Sequence, residues 1–310
     1  MSVGVMAHRS PPAAASACPI CGHSESWPIP FRQDRQIDAW RAEIGDAAPY
    51  DWRLCRRCGN AYPSAQPDLR VLQRIWNDAR TVATADPAQV AAAWESRRLA
   101  GRICAERSYR LFAPLCRGGK RFLDIACGLG DTVRIFADHD WDAEGIDADP
   151  GMLPFHRDIG IRSRIGQFET LDIAAGYDII HIAHAIYFMT DPMGFMRRVR
   201  EHLAPGGLFC LVISDFMASF VASLPSYSHS FMPIAASLRH ALALAGFATI
   251  LERRWSGSIY MAAQPAQIAP PHVATWPILL GYRTKAPRYA VIGRPYLALR
   301  QVAKRLLRRR

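Results

Sequence analysis

The stretch Phe122–Thr132, Phe-Leu-Asp-Ile-Ala-Cys-Gly-Leu-Gly-Asp-Thr, limits most tightly what this chain can fold into. Phe122, Leu123 and Ile125 form a short apolar run around one acid, Asp124, and the run breaks at Gly128 and Gly130. Beyond the break Val133, Ile135, Phe136 and Ala137 recur at helical spacing. The pattern predicts a strand, a tight glycine loop and a helix, the opening of an α/β nucleotide-binding unit. Glycine suits the loop because the backbone must turn sharply and approach a ligand with no Cβ in the way.

A dinucleotide loop reads G-x-G-x-x-G, and here Val133 stands where its third glycine would fall. Ala143–Asp147 predicts a second apolar strand, and its acid lies 23 residues after Asp124. An acid at that place is where a ribose diol is hydrogen-bonded. Asp149-Pro150 reads separately, as the cap and first residue of the next helix.

These blocks resemble the class I S-adenosylmethionine-dependent methyltransferases. Asp124, Ala126, Gly128 and Gly130 stand in that family's acid-x-Gly-x-Gly-x-Gly motif, with Ala126 replacing the first glycine. Asp147-Ala148-Asp149-Pro150-Gly151-Met152-Leu153 resembles its second-strand run, and Gly166-Gln167-Phe168 stands where the adenine is held. Tyr177–Ala183, the Pro205-Gly206-Gly207 turn and Leu208–Ile213 continue the order, and 247–253 with 258–263 predict a closing hairpin. The resemblance implies an α/β fold with a doubly wound, seven-stranded, mostly parallel Rossmann-like sheet. It implies S-adenosylmethionine as cofactor, contacted by Asp124, Ala126, Gly128, Gly130, Asp147, Ala148, Gln167, Phe168 and His184. His184, Tyr187 and His229 are the candidate catalytic side chains, whereas His181, set among isoleucines, reads as a core histidine.

The eight cysteines do not read as a disulfide set. Cys18-Pro-Ile-Cys21 and Cys55-Arg-Arg-Cys58 are two Cys-x-x-Cys knuckles, each followed by glycine. Four thiolates at this spacing suit a closed tetrahedral site, hence a structural Zn²⁺, with 31–50 as an insert in a zinc-ribbon-like hairpin. Redox Cys-x-x-Cys pairs and reduced bystander thiols are the alternatives. The knuckles and the proline-marked exit after them resemble the amino-terminal zinc module of bacterial relatives of the sugar C-methyltransferases. Cys104, Cys116, Cys127 and Cys210 read as small packing residues.

The expected segments are a disordered leader (1–17), the zinc module (18–67), a helical connector (68–120), the methyltransferase domain (121–264) and a basic extension (265–310). In the connector Leu69, Leu72, Ile75 and Trp76 mark one helix. A second begins after Asp86-Pro87 and carries Val90, Trp94, Leu99 and Ile103 towards Leu111 and Phe112. The net charge is +11, but ten of the 38 Lys/Arg lie in 283–310 with no acid among them. The remainder is nearly neutral, which argues against a nucleic-acid-binding body. Leu299, Val302, Ala303 and Leu306 form an apolar stripe opposite Arg300, Lys304 and Arg308, so residues 297–310 predict a basic helix for an anionic membrane surface. The expected activity is methyl transfer to oxygen or carbon of a small-molecule or saccharide acceptor in the cytoplasm, with a peripheral site at the inner membrane surface. The competing readings are an RNA methyltransferase that uses the zinc module and tail, and a non-catalytic S-adenosylmethionine-binding scaffold.

Overall fold

The computed structural model describes residues 17–31, 51–65, 87–218, 224–226 and 229–307. The leader, most of the 31–50 insert and the Leu69–Trp76 helix lie outside the described residues, as do the Trp94 side chain and the tail side chains beyond Val302.

The amino-terminal module is a three-stranded antiparallel sheet, β1 (Ser26–Ile29), β2 (Trp52–Cys55) and β3 (Ala61–Pro63). Each knuckle closes on itself, with the Gly22 amide donating to the Cys18 carbonyl (2.9 Å) and the Gly59 amide to that of Cys55 (3.1 Å). Both glycines have left-handed φ, 68° and 67°, which is why a glycine follows each pair.

The main sheet has seven strands. They are β4 (Arg121–Ile125), β5 (Asp142–Asp147), β6 (Arg162–Ile165), β7 (Tyr177–Ala183), β8 (Leu203–Ser214), β9 (Phe247–Trp255) and β10 (Ser258–Pro265). Their order is β6-β5-β4-β7-β8-β10-β9, parallel except for β10, which runs antiparallel to both neighbours. The doubly wound class I methyltransferase fold expected from the motifs is therefore present. Side chains alternate across it: Phe122, Ile179, Cys210 and Tyr260 pack on one face, Leu123, Ile180, Leu211 and Ile259 on the other. Ser256 and Gly257, both at positive φ, make the tight turn of the β9–β10 hairpin.

Seven α-helices are described: α1 (Pro87–Phe112), α2 (Asp131–Ala137), α3 (Leu153–Asp158), α4 (Pro192–His202), α5 (Ala235–Leu244), α6 (Thr275–Arg288) and α7 (Arg294–Leu307). Helix α1 begins at Pro87, and among its described side chains the expected stripe is fully buried at Phe112 but not before it. Leu99 and Ile103 are exposed, and Ala105, Ser108 and Phe112 are fully buried. Those three lie at i, i+3 and i+7, so a small and a polar residue mark the inner face and defeat a reading by hydrophobicity.

Residues 265–310 are not an independent basic tail at their start. Ile278, Leu279 and Tyr282 of α6 are buried in the same core as Cys18, Leu54 and Cys58. The Thr275 hydroxyl donates to the Arg56 carbonyl (3.0 Å), and Trp276 meets Trp27 edge-on with centroids 6.1 Å apart. A Cβ on Gly59 would strike Ile278, so glycine there also admits α6. At the far end of α6 the Lys285 ammonium donates to the Phe216 carbonyl and Tyr282 stacks on the Phe216 ring. A π-helical turn, Tyr289–Gly293, joins α6 to α7. Pro295 just beyond it lacks the amide an α-helix would need there.

Candidate functional site

The glycine loop leaves β4 with left-handed backbone at three alternate residues, Ala126 (φ 55°), Gly128 (57°) and Gly130 (83°). Ala126 takes the conformation of the glycine it replaces, at roughly 1 kcal/mol of strain. The space a Cβ would occupy at Gly128 is open, whereas at Gly130 it is filled by Ile161. Gly128 therefore borders open space, and Gly130 packs loop against core.

Two side chains clasp the loop through Gly128. Asp147, at the end of β5, accepts from the Gly128 amide (2.7 Å) and from the Asp149 amide (3.0 Å), one carboxylate oxygen to each. His156 of α3 lies 2.7 Å from the Gly128 carbonyl through Nε2, while its Nδ1 meets Ser163 Oγ at 2.8 Å. A carbonyl only accepts, so Nε2 carries the proton and Ser163 donates to Nδ1. His156 is fully buried and absent from the sequence expectations. Its signal was a histidine three residues after Leu153 in a short helix, too common a pattern to single out.

The remaining cofactor candidates fall around the same loop. Ala148 is exposed beside Asp147. The Gly166 amide donates to the Asp147 carbonyl (2.9 Å), which brings Gln167 beside the end of β5. Phe168 follows Gln167 in the loop where the resemblance puts the adenine, and its ring turns inward. It is buried, edge-on to Phe195, with the Arg198 guanidinium 5.3 Å from its centroid, so it anchors the loop to α4 and offers a ligand only backbone. Asp124 is buried and accepts from His181 Nδ1 at 2.7 Å.

The three candidate catalytic residues gather at the carboxyl ends of β7 and β8 with unequal freedom. His184 turns the chain out of β7 at φ 52° and stays exposed, with Nε2 3.5 Å from Ser258 Oγ. Protein crowded against its ring lowers its pKa below the usual histidine value, and His181 adds to this. Tyr187 is buried, its hydroxyl accepting from the Ser214 amide (2.6 Å), and burial raises its pKa. His229 lies face to face with Phe188 and edge-on to Tyr187, at 5.7 and 5.3 Å. Burial pushes its pKa down to about 4.

The amino-terminal module touches this side directly. The Met232 amide donates to the Ala61 carbonyl of β3 (2.8 Å), and Ser230 donates from both amide and hydroxyl to the Tyr187 carbonyl (2.8 Å each). The segment that carries His229 is thus fastened to the module at one end and to Tyr187 at the other. Within the module the sulfurs of Cys18, Cys21, Cys55 and Cys58 all lie within 4.8 Å of one another, with closest pairs at 3.5 and 3.6 Å. A tetrahedral Zn²⁺ with bonds of about 2.3 Å holds its sulfurs about 3.8 Å apart, and a disulfide brings two sulfurs to about 2.05 Å. The spacing fits a metal and not a disulfide.

Residues 94–252 match the family described as "Methyltransferase domain". The chain belongs to that family. It is 30% identical over 131 residues to the ubiquinone biosynthesis O-methyltransferase of one Cereibacter sphaeroides strain, covering 40% of this chain and 53% of the relative. It is 32% identical over 132 residues to that of a second strain, with the same coverage. The chain spans about half the length of these curated relatives. Among solved structures it is similar to the Burkholderia thailandensis 1,6-didemethyltoxoflavin-N1-methyltransferase, at 17% identity, 67% of this chain, 96% of that one and a TM-score of 0.48. For the CcbJ methyltransferase of Streptomyces caelestis the values are 17%, 54%, 89% and 0.45.

Proposed function

We propose that this protein transfers the methyl group of S-adenosylmethionine to an oxygen of a small-molecule acceptor, saccharides included. The observation that carries the reading is the loop at 126–130, left-handed at every second residue and open at Gly128, in a methyltransferase-family chain. The relatives named as O-methyltransferases support oxygen. In this reading the amino-acid end of the cofactor lies over Asp124–Gly130, its ribose on Asp147 and its adenine beside Gln167 and the Phe168 backbone.

Methyl transfer from a sulfonium is an in-line displacement, so the protein's main task is alignment. An acceptor hydroxyl must lose its proton as it attacks, and a neutral imidazole suits that step. His184 is the better placed, being exposed at the end of β7. A base with a pKa of about 4 is weak, so His229 orients the acceptor and Tyr187 holds β8 against the His229 segment.

The four cysteines hold a structural Zn²⁺, as their spacing supports. Helix α7 rests on an anionic membrane surface: Leu299 and Val302 are exposed on it with Arg294 and Arg300. No helix among the described residues is long and apolar enough to cross a membrane.

The test is transfer of labelled methyl from S-adenosylmethionine into fractionated small molecules, glycolipids and RNA. Label in a small-molecule or glycolipid fraction, lost in His184→Ala, is expected. Label in RNA alone, or no transfer with cofactor bound, would overturn the reading.

A further inference from the structure

Three buried side chains from three elements form one hydrogen-bonded line. Asp124 of β4 accepts from Nδ1 of His181 in β7 at 2.7 Å, and Nε2 of that ring lies 3.1 Å from Ser108 Oγ of α1. Nδ1 faces a carboxylate and so carries the proton, which leaves Nε2 to accept from the serine hydroxyl. The order is that of a hydrolase triad, but Ser108 and His181 are fully buried, with the His181 ring beside Phe112 and Phe122. No acceptor or water reaches Ser108 Oγ, which excludes a nucleophile's role.

The line ends at the cofactor loop. Asp124 is the last residue but one of β4, two before Ala126, and α1 also meets the loop's other end. There Arg102 Nε lies 3.8 Å from Asp131, the first residue of α2, and Gly101 lets that carboxylate approach, since a Cβ would strike it. Helix α1 therefore spans the loop, with a loose, partly exposed ion pair at one end and a buried relay at the other.

We propose that His181 is a positioning residue for cofactor binding, aiming the Asp124 carboxylate and, through Ser108, coupling α1 to the glycine loop. The inference rests on S-adenosylmethionine being the ligand of that loop. In physical terms, a carboxylate buried beside a strand end keeps a fixed orientation only while its donor does. The donor ring can turn about its Cβ–Cγ bond, and the second hydrogen bond, to Ser108, restrains that turn. A loop that carries strain at Ala126 is sensitive to such support.

The experiment uses the full-length protein and reads S-adenosylhomocysteine affinity by calorimetry beside thermal melting. An Asn amide nitrogen falls near imidazole Nδ1 and a Gln amide near Nε2, so the two substitutions separate the two bonds. His181→Asn keeps the Asp124 bond and loses Ser108; His181→Gln does the reverse. His181→Gln is expected to weaken binding at least about tenfold, as losing a hydrogen bond to a buried charge does. Ser108→Ala and His181→Asn should each weaken it about threefold, with no further loss when combined, because they break the same bond. Equal losses in the Asn and Gln variants, at equal melting temperature, would mean that ring packing rather than the Asp124 bond matters and would overturn the proposal. Wild-type affinity in folded Ser108→Ala and His181→Asn would do so as well, even if His181→Gln failed to fold. Absence of binding in the wild-type protein would instead refute the cofactor reading beneath it.

Discussion

The two halves of the site are built by different means. Around Asp124–Phe168 the ligand face is mostly backbone: positive-φ residues at 126, 128 and 130, held by Asp147 and His156 through Gly128. At the ends of β7 and β8 the face is side chain, and distant segments fasten it. Ser230 holds Tyr187, β3 holds Met232, and α6 holds both Phe216 and the second knuckle. Backbone-built sites recur because any chain with glycine in the right places makes them. Side-chain faces held from afar are free to vary, and they carry the choice of acceptor.

Removing the metal should separate the halves most sharply. Cys55→Ser, or chelation, is expected to release Zn²⁺ and abolish a folding contribution on the order of 10 kcal/mol in the module. Because the module shares its core with Phe231, Ile234 and Tyr282, hydrogen exchange should rise there and in α6. Protection of β4 and β5 should persist. Stoichiometric zinc in the mutant would remove the four-sulfur site, and loss of protection throughout would remove the independence of the halves.

Asp147→Ala acts on the cofactor half alone. It strips the Gly128 and Asp149 amides of their acceptor and, in the proposed function, the ribose of its partner. About 1–3 kcal/mol follows from such a loss, roughly tenfold to a hundredfold in cofactor affinity. Unchanged affinity by calorimetry would mean that the second-strand acid serves only the loop.

Acid should strike the other half first. The folded-state pKa of His229 is pushed down to about 4, against an ordinary value near 6.5. Between those values the unfolded chain binds the proton and the folded one does not, so stability falls as pH drops from about 6.5 to about 4. The loss is at most ~3 kcal/mol, less whatever solvent screens at this half-buried ring. His229→Phe should flatten that part of the pH–stability curve; an unaltered slope would show that the ring titrates freely.

Membrane attachment concerns neither half and gives a salt-dependent effect on binding to vesicles rather than on stability. Full-length protein should sediment with anionic and not neutral vesicles, and a chain stopped at Gly293 should not, since each basic residue contributes about 1 kcal/mol. Equal sedimentation of both chains would remove the attachment. The smallest effect belongs to Ala126→Gly. Relief of left-handed strain, offset by glycine's extra freedom when unfolded, should leave melting within a few degrees while cofactor affinity holds. A large loss of affinity would show that the Ala126 methyl touches the ligand.

Most of the fold was legible because its signals are local. Alternation in β4 and β7, the Gly128–Gly130 break, the Asp147 strand end and the Pro205-Gly206-Gly207 turn each lie within a few residues. The knuckle glycines were legible for the same reason, their φ being a property of one residue. Contacts set only by tertiary packing were hidden. Nothing in α1 marks Ser108 as facing His181, and the exposed Leu99 and Ile103 pointed to the wrong face. Gly59 was visible only as the glycine that follows the second knuckle, although it also clears space for Ile278 from a helix 219 positions onward in the chain. The inward turn of the Phe168 ring was hidden too, because a loop aromatic turns to core or solvent according to what α4 offers.

The division between the halves is tested most directly by titrating S-adenosylhomocysteine into the wild-type, Asp147→Ala and Cys55→Ser proteins in a calorimeter. One saturable site in the wild type, a tenfold to hundredfold loss in Asp147→Ala and near-wild-type affinity in Cys55→Ser are expected. No binding heat in the wild type, or losses of equal size in the two variants, would contradict it.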